Sequence, residues 1–214
     1  MWWDLSVIEF FIFIYGIVIG SFLNVLIYRL PKEDMAFLHP KRSICPHCGY
    51  QLKWYENIPL VSYLLLKAKC SHCKKPIALH YFVVEFLSGI ISVALYLSLD
   101  INSDFFIVLL LFYTLIVLSF IDFEYKAVPD YLLLLILVIM IFVPGFNLIN
   151  ALIFAGGFVL LDFIITFYIQ NIKARITNNK ELEAQVALGE GDIPIVAMIG
   201  GILGLQLGVV AIFL

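Results

Sequence analysis

Long apolar runs recur from one end of this 214-residue chain to the other. Several reach the roughly 18–20 residues that a helix needs to cross about 30 Å of hydrocarbon. Composition agrees. The chain is 63% hydrophobic and 14% charged, where a soluble domain carries roughly 45–50% apolar and about 25% charged residues. The runs predict six spans, near 8–28, 81–99, 105–121, 131–149, 151–170 and 193–213, with Pro144 and Gly145 interrupting the fourth. The expected fold is all-α, a polytopic transmembrane helical bundle. The first run is not read as a cleavable signal peptide, because Met1 to Glu9 holds no Lys or Arg and no small-residue cleavage site follows.

Basic residues orient the bundle, since Lys and Arg near span ends are retained on the cytoplasmic side. Arg29, Lys32, Lys41, Arg42, Lys53, Lys67, Lys69, Lys74 and Lys75 fall in the first long loop. Lys126 follows the third span, and Lys173, Arg175 and Lys180 follow the fifth. The segments left for the opposite side contain neither residue type. Both termini are therefore expected outside, with the long loops in the cytoplasm and Trp2 and Trp3 as an aromatic anchor at the outer interface. The net charge of -3 is small and, for a membrane protein, says little about partners; the expected surrounding is lipid, with no nucleic acid.

Residues 29–80 interrupt the hydrophobic pattern and hold all four cysteines, as Cys45-Pro46-His47-Cys48 and Cys70-Ser71-His72-Cys73. Two CxxC knuckles are the layout of a tetrahedral four-thiolate zinc site. The competing readings are two disulfides or four idle thiols, and a reducing cytoplasm disfavours the first. Four thiolates leave no open coordination position, so the expected role is structural. His47 and His72 are read as bystanders.

Two carboxylates stand at span ends: Asp122 closes the third, and Asp192 opens the sixth in Gly189-Glu190-Gly191-Asp192-Ile193-Pro194. The charge pattern sets both at the cytoplasmic boundary. Brought together, two such groups cannot both ionise cheaply, so one keeps its proton and the pair offers an acid and a base at once. Aspartic-protease chemistry requires that: one carboxylate takes a proton from water while the other polarises the scissile carbonyl. Gly189 and Gly191 would let a peptide chain approach closely. Taken singly, Asp192 could instead cap the sixth helix, with Pro194 in its first turn, and Asp122 could be an interfacial carboxylate. Asp130 could cap the fourth span. Glu85 and Asp162 lie inside spans and are functional suspects, because a charge in lipid is costly. Glu124, Glu181 and Glu183 are read as solvated.

Together these features resemble the type IV prepilin leader peptidases over nearly the whole chain. Gly20-Ser21-Phe22-Leu23-Asn24-Val25-Leu26-Ile27-Tyr28-Arg29-Leu30-Pro31 is similar to the family's signature at the end of the first span. Trp54-Tyr55-Glu56-Asn57-Ile58-Pro59-Leu60-Val61-Ser62-Tyr63 is similar to its second. The resemblance implies that Asp122, followed by Pro129-Asp130, and Asp192 are the catalytic aspartates. It implies cleavage of prepilins and pseudopilins after a short basic leader at the bacterial inner membrane. In many members the new N-terminus is then N-methylated from S-adenosylmethionine, an activity associated with the half that bears the cysteines. Many members have Lys where Pro194 stands here. The implied division is 1–99, with two spans and the cysteine loop, and 100–214, the peptidase region. A presenilin-like protease would explain GxGD alone. A membrane transporter or zinc-bearing scaffold would treat the aspartates as an ion path or caps, but no internal repeat supports a transporter.

Overall fold

A computed structural model describes residues 2–32, 43–126, 128–173, 189 and 191–213, with side chains described from residue 7 to residue 212. Of the charges discussed above, Lys41, Arg42, Arg175, Lys180, Glu181, Glu183 and Glu190 lie outside the described residues, as do the side chains of Trp2 and Trp3. The architecture is all-helical, as expected. Long helices span α1 (Trp2–Arg29), α3 (Leu79–Leu99), α4 (Ser103–Tyr125), α6 (Leu148–Phe167) and α7 (Asp192–Phe213). Shorter helices are α2 (Val61–Leu65) and α5 (Asp130–Ile141). A π-helical turn, Tyr168–Lys173, extends α6.

Five of these helices are long and apolar enough to cross a membrane: Val7–Arg29, Leu79–Leu99, Ser103–Tyr125, Leu148–Lys173 and Asp192–Ile212. The chain is thus a multi-pass membrane protein, with spans close to five of those predicted. The stretch expected near 131–149 differs, because its helix is only 12 residues long. At 1.5 Å per residue that is roughly 18 Å, well short of the hydrocarbon thickness. Pro144 and Gly145 account for the early stop: proline cannot continue the helix, and Gly145 adopts φ 79.

The chain forms two compact units, Met1–Pro129 and Asp130–Leu214. In the first, α1 packs along α3 at small residues. A Cβ on Gly16 would lie 2.7 Å from the Ser88 carbonyl oxygen, and one on Gly20 would lie 2.8 Å from the Glu85 Cα. This Gly-xxx-Gly spacing lets two backbones meet closely, where lipid offers no hydrophobic drive for helix association. The Ser88 hydroxyl donates to the Val84 carbonyl at 2.8 Å, that of Ser92 to the Ser88 carbonyl at 2.6 Å, and Ser92 Oγ lies 2.7 Å from the Tyr113 hydroxyl of α4. The hydroxyls of Ser88, Ser92 and Tyr113 are thereby satisfied, as a medium without water demands.

In the second unit α7 packs on α5 and α6. Phe154 of α6 lies against Gly200 and Gly208 of α7; a Cβ on Gly208 would meet its ring at 2.7 Å. The Asn147 amide donates to the Gly201 carbonyl at 2.8 Å. Gly204, at φ 75 and ψ -179, interrupts α7. Much of α6 faces outward with apolar side chains, among them Leu152, Leu160 and Phe163, as a lipid-facing helix should.

Candidate metal centre and peptidase aspartates

Each CxxC pair sits in a tight turn closed by one antiparallel bridge, Ile44 to Gln51 in the first and Lys69 to Pro76 in the second. The turns are near copies. The Cys45 amide donates to the Tyr50 carbonyl and the Cys70 amide to the Lys75 carbonyl, both at 2.9 Å. The Gly49 and Lys74 amides donate back to the Cys45 and Cys70 carbonyls at 2.9 and 3.1 Å. The residue after each second cysteine turns the chain with a positive φ, 68 at Gly49 and 59 at Lys74. Glycine meets that requirement at no steric cost, whereas lysine adopts it under mild strain.

The turns bring the four thiols together. Sγ atoms of Cys45, Cys48, Cys70 and Cys73 all lie within 4.8 Å of one another, and those of Cys45 and Cys73 are 3.9 Å apart. Sulfurs at about 2.3 Å from one tetrahedral zinc stand roughly 3.8 Å apart, so the donor set and spacing fit such an ion. All four are free thiols, which removes the disulfide reading. Amides of Cys73 and His72 pull the Cys70 thiol down to about 7 against the effect of burial. Backbone N–H groups aimed at a sulfur favour the thiolate that a metal requires. His72 stacks on Tyr50, ring centroids 5.1 Å apart, and so bridges the two turns without joining the thiol cluster.

Between the turns, the short 3-10 helix Trp54–Asn57 is tied by Glu56, whose carboxylate accepts from the Lys53 amide at 2.8 Å. The Ser71 hydroxyl and that amide hold the Glu56 carboxyl below the usual carboxylate range. Glu85, without an evident partner in the sequence, has partners in the fold: it accepts from the Leu60 amide at 2.8 Å and from the Ser21 hydroxyl. Leu60 sits at φ 59, a costly conformation that such a tether helps to hold. An intramembrane carboxylate thus anchors the loop onto α1 and α3. Asp162 accepts from the Thr166 hydroxyl at 3.2 Å. Asn24, not singled out by the sequence reading, is buried in α1 and donates to the Tyr81 carbonyl at 2.9 Å. The signal that could have found it is a polar amide inside an apolar span.

The two aspartates belong to different units. Asp122 lies exposed in the last turn of α4, where its carbonyl accepts from the Lys126 amide at 2.8 Å. Asp192 is the exposed first residue of α7; its amide donates to the Gly189 carbonyl at 3.0 Å. A Cβ on Gly189 would lie 3.4 Å from the Asp192 carboxylate, so glycine leaves that carboxylate uncrowded. Asp130 opens α5.

Residues 14–99 match the Bacterial Peptidase A24 N-terminal domain, and residues 109–214 match the Type IV leader peptidase family. A prepilin leader peptidase/N-methyltransferase of Vibrio cholerae is 37% identical over 90% of this chain and 76% of its own length. Proteins of the same name from Aeromonas hydrophila and Myxococcus xanthus are 33% and 35% identical, over 91% and 90% of this chain and 73% and 55% of their own lengths. No solved structure matches. With both halves of its length matched, this chain belongs to the type IV leader peptidase family and is a membrane aspartic peptidase.

Proposed function

We propose that this chain cleaves the basic leaders of prepilins or pseudopilins at the cytoplasmic face of the bacterial inner membrane, with Asp122 and Asp192 as the catalytic pair. The observation that carries the reading is the position of both aspartates at the ends of long apolar helices, the last turn of α4 and the first residue of α7. A prepilin is a basic leader followed by a hydrophobic helix, so its scissile bond lies where such helix ends lie. The dyad requires the end of α4 to stand beside the start of α7. One carboxylate then removes a proton from water as the water adds to the scissile carbonyl, and the protonated partner donates to the developing oxyanion. Collapse of that intermediate breaks the C–N bond, and the new amine takes up a proton.

The one-sided Lys and Arg pattern supports cytoplasmic loops and termini on the outer side. The four thiols take zinc, which holds the two turns of the loop together; four thiolates leave the ion no open position for chemistry. The relatives' shared name supports a second activity, N-methylation of the freed N-terminus, with S-adenosylmethionine as the methyl donor.

Incubation of the purified chain with a prepilin peptide, with and without S-adenosylmethionine, tests the reading by mass spectrometry. The expected products are a peptide cut at the leader boundary and, with the methyl donor, the same product 14 Da heavier, the mass of one methylene. Full cleavage by Asp192→Asn would remove the dyad, since Asn caps a helix about as well as Asp and only a catalytic carboxylate would be missed.

A further inference from the structure

The short helix α2 lies beside the membrane-spanning part of α3 rather than beyond its end. The Leu60 amide donates to the Glu85 carboxylate at 2.8 Å, and the Tyr63 ring packs on that of Phe82 with centroids 5.4 Å apart. The 21 residues of Leu79–Leu99 rise about 31 Å, just enough to cross the hydrocarbon, so the first turns of α3 lie within one leaflet. Glu85 stands roughly 9 Å along the axis from Leu79, and a helical side chain leans back toward its helix start. Leu60 and Tyr63 are therefore level with the first two turns of α3. That is the depth, about 5–10 Å, at which interfacial helices bury their apolar faces.

The two faces of α2 differ. Ser62 and Tyr63, with Leu66 just past the helix, turn inward and line a cavity of about 500 Å³ whose other walls come from Asn24 and its neighbours on α1, from α3 and α4, and from both cysteine turns. Val61, Leu64 and Leu65 turn outward at helical spacing, Leu64 and Leu65 being 65% and 77% exposed. Trp54 is 79% exposed, and Tyr55 and Ile58 are exposed as well. Leucines at this depth meet acyl chains, while Trp and Tyr favour the level of the headgroups. The backbone is shaped for a dip into lipid. Leu60 before the helix has φ 59, and Lys67 and Ala68 after it have φ 52 and 56, so the chain turns sharply at both ends in conformations that non-glycine residues adopt at a cost. Amides of Ser62, Leu66 and Ala68 donate to the Ile58, Ser62 and Tyr63 carbonyls at 3.0, 2.9 and 2.9 Å. These donors need no water, as a segment entering lipid requires.

Charge selects the occupant of the outer face. Residues 43–78 carry Lys53, Lys67, Lys69, Lys74 and Lys75, all exposed, against a single carboxylate, Glu56, which is buried. An identical face on a second copy, or a basic peptide, would meet like charge, whereas anionic headgroups complement it. We propose that residues 54–65 form a membrane-docking surface, with α2 seated at the acyl boundary of the leaflet that meets the cysteine loop and the flanking lysines on anionic phospholipid headgroups. The inference goes beyond the peptidase reading and needs only that α3 crosses the membrane. Docking holds the cysteine turns at the membrane surface, because α2 lies between them in the chain and the cavity walls join all three.

Single-tryptophan fluorescence of the full-length chain tests this in vesicles of equal parts phosphatidylethanolamine and phosphatidylglycerol. In a Trp2→Phe, Trp3→Phe, Trp54→Phe background, Leu65→Trp probes the proposed surface and Val83→Trp the exposed side of α3 at similar depth. Lipid brominated near the glycerol end of its acyl chains should quench both to within about twofold, and acrylamide should reach neither as it reaches free tryptophan. Lys67→Glu with Lys69→Glu should lower the quenching of the Leu65→Trp protein at least about twofold in these vesicles and leave it unchanged in pure phosphatidylcholine. Melting temperature reports whether each variant is folded. Photolabelling of the wild type by a lipid with a diazirine in its acyl chain needs no variant, and label in the 54–65 peptide supports the surface. Label on α1 and α3 that never reaches that peptide would overturn it. So would a Leu65→Trp signal open to acrylamide and blind to brominated lipid, or a charge reversal without effect in anionic vesicles. Shielding from both quenchers that rises with the protein-to-lipid ratio would give the face to a second copy and overturn the lipid assignment. Prepilin cleavage enters none of these readouts, so the surface and the peptidase reading stand or fall separately.

Discussion

The two units solve the problem of packing helices in lipid by different means. In residues 1–129 the described core contains polar side chains, Asn24, Arg29, Glu56, Glu85, Ser88, Ser92 and Thr114 among them. Among the described residues of 130–214 every fully buried side chain is apolar, and the helices meet where Phe146 and Phe154 lie against the glycines of α7. Polar pairs specify a single register, since any other leaves a donor or acceptor unsatisfied. Phenylalanine against glycine specifies contact by shape alone, and costs less to shift. The first unit is thus suited to hold a fixed loop, a metal and a cavity, the second to present one carboxylate at a helix start.

The sharpest test of that division is functional. Asp122→Asn and Asp192→Asn should each lower prepilin cleavage by about 10²–10⁴-fold, the range of general acid–base catalysis. The double variant should be no worse than either single one, because groups acting as a unit are non-additive. Both single variants should bind S-adenosylmethionine as the wild type does. Loss of donor binding on Asp192→Asn would show the two chemistries to be inseparable and break the comparison.

Metal removal comes next. Zinc in finger peptides supplies apparent binding free energies of about 10–16 kcal/mol that are largely folding free energy. Cys45→Ser with Cys70→Ser, or exhaustive chelation, should therefore open residues 43–77 to limited proteolysis while 130–214 keep their protection. Unchanged proteolysis of the loop after verified metal loss would show that its hydrogen bonds suffice.

Overpacking distinguishes the two kinds of interface. Gly20→Val should destabilise the first unit by about 1–3 kcal/mol, because the new methyls meet the α3 backbone. Gly208→Ala, whose tight contacts are with the ring of Phe154 while the Gly200 Cα lies at an ordinary 3.4 Å, should cost less, since a side chain gives way more readily than a backbone. Thermal melts of the two purified variants compare them; an equal loss would remove the contrast.

The smallest effects belong to the loop. The fold holds the Glu56 carboxyl below its ordinary value, so its contribution is present above that ordinary value and is lost as pH falls through the lower folded one. Glu56→Gln should cost about 1 kcal/mol near neutral pH, and the deficit should vanish in acid, read as protection of the loop thiols from alkylation in metal-free protein. Gly49→Ala should cost about 1 kcal/mol through φ alone, for nothing lies within 4 Å of the added methyl.

Much of this was legible in the chain before any fold was known. Hydrophobic run length, the CxxC pairs and the signature strings are local properties, and each translates directly into a span, a pair of knuckles or a family. Interruption of the fourth run by Pro144 and Gly145 was visible too. That the helix stops at Ile141, leaving 12 residues, was not, because propensity marks a break without saying how much helix survives on either side. Tertiary structure alone decided the partners of Glu85. Its acceptor bonds to Leu60 and Ser21 join residues separated by 25 and 64 positions, and no periodicity encodes such a pairing. The cavity around Asn24 belongs to the same class: its walls come from α1, α3, α4 and both cysteine turns, and a void exists only when surfaces distant in sequence are brought close without quite touching.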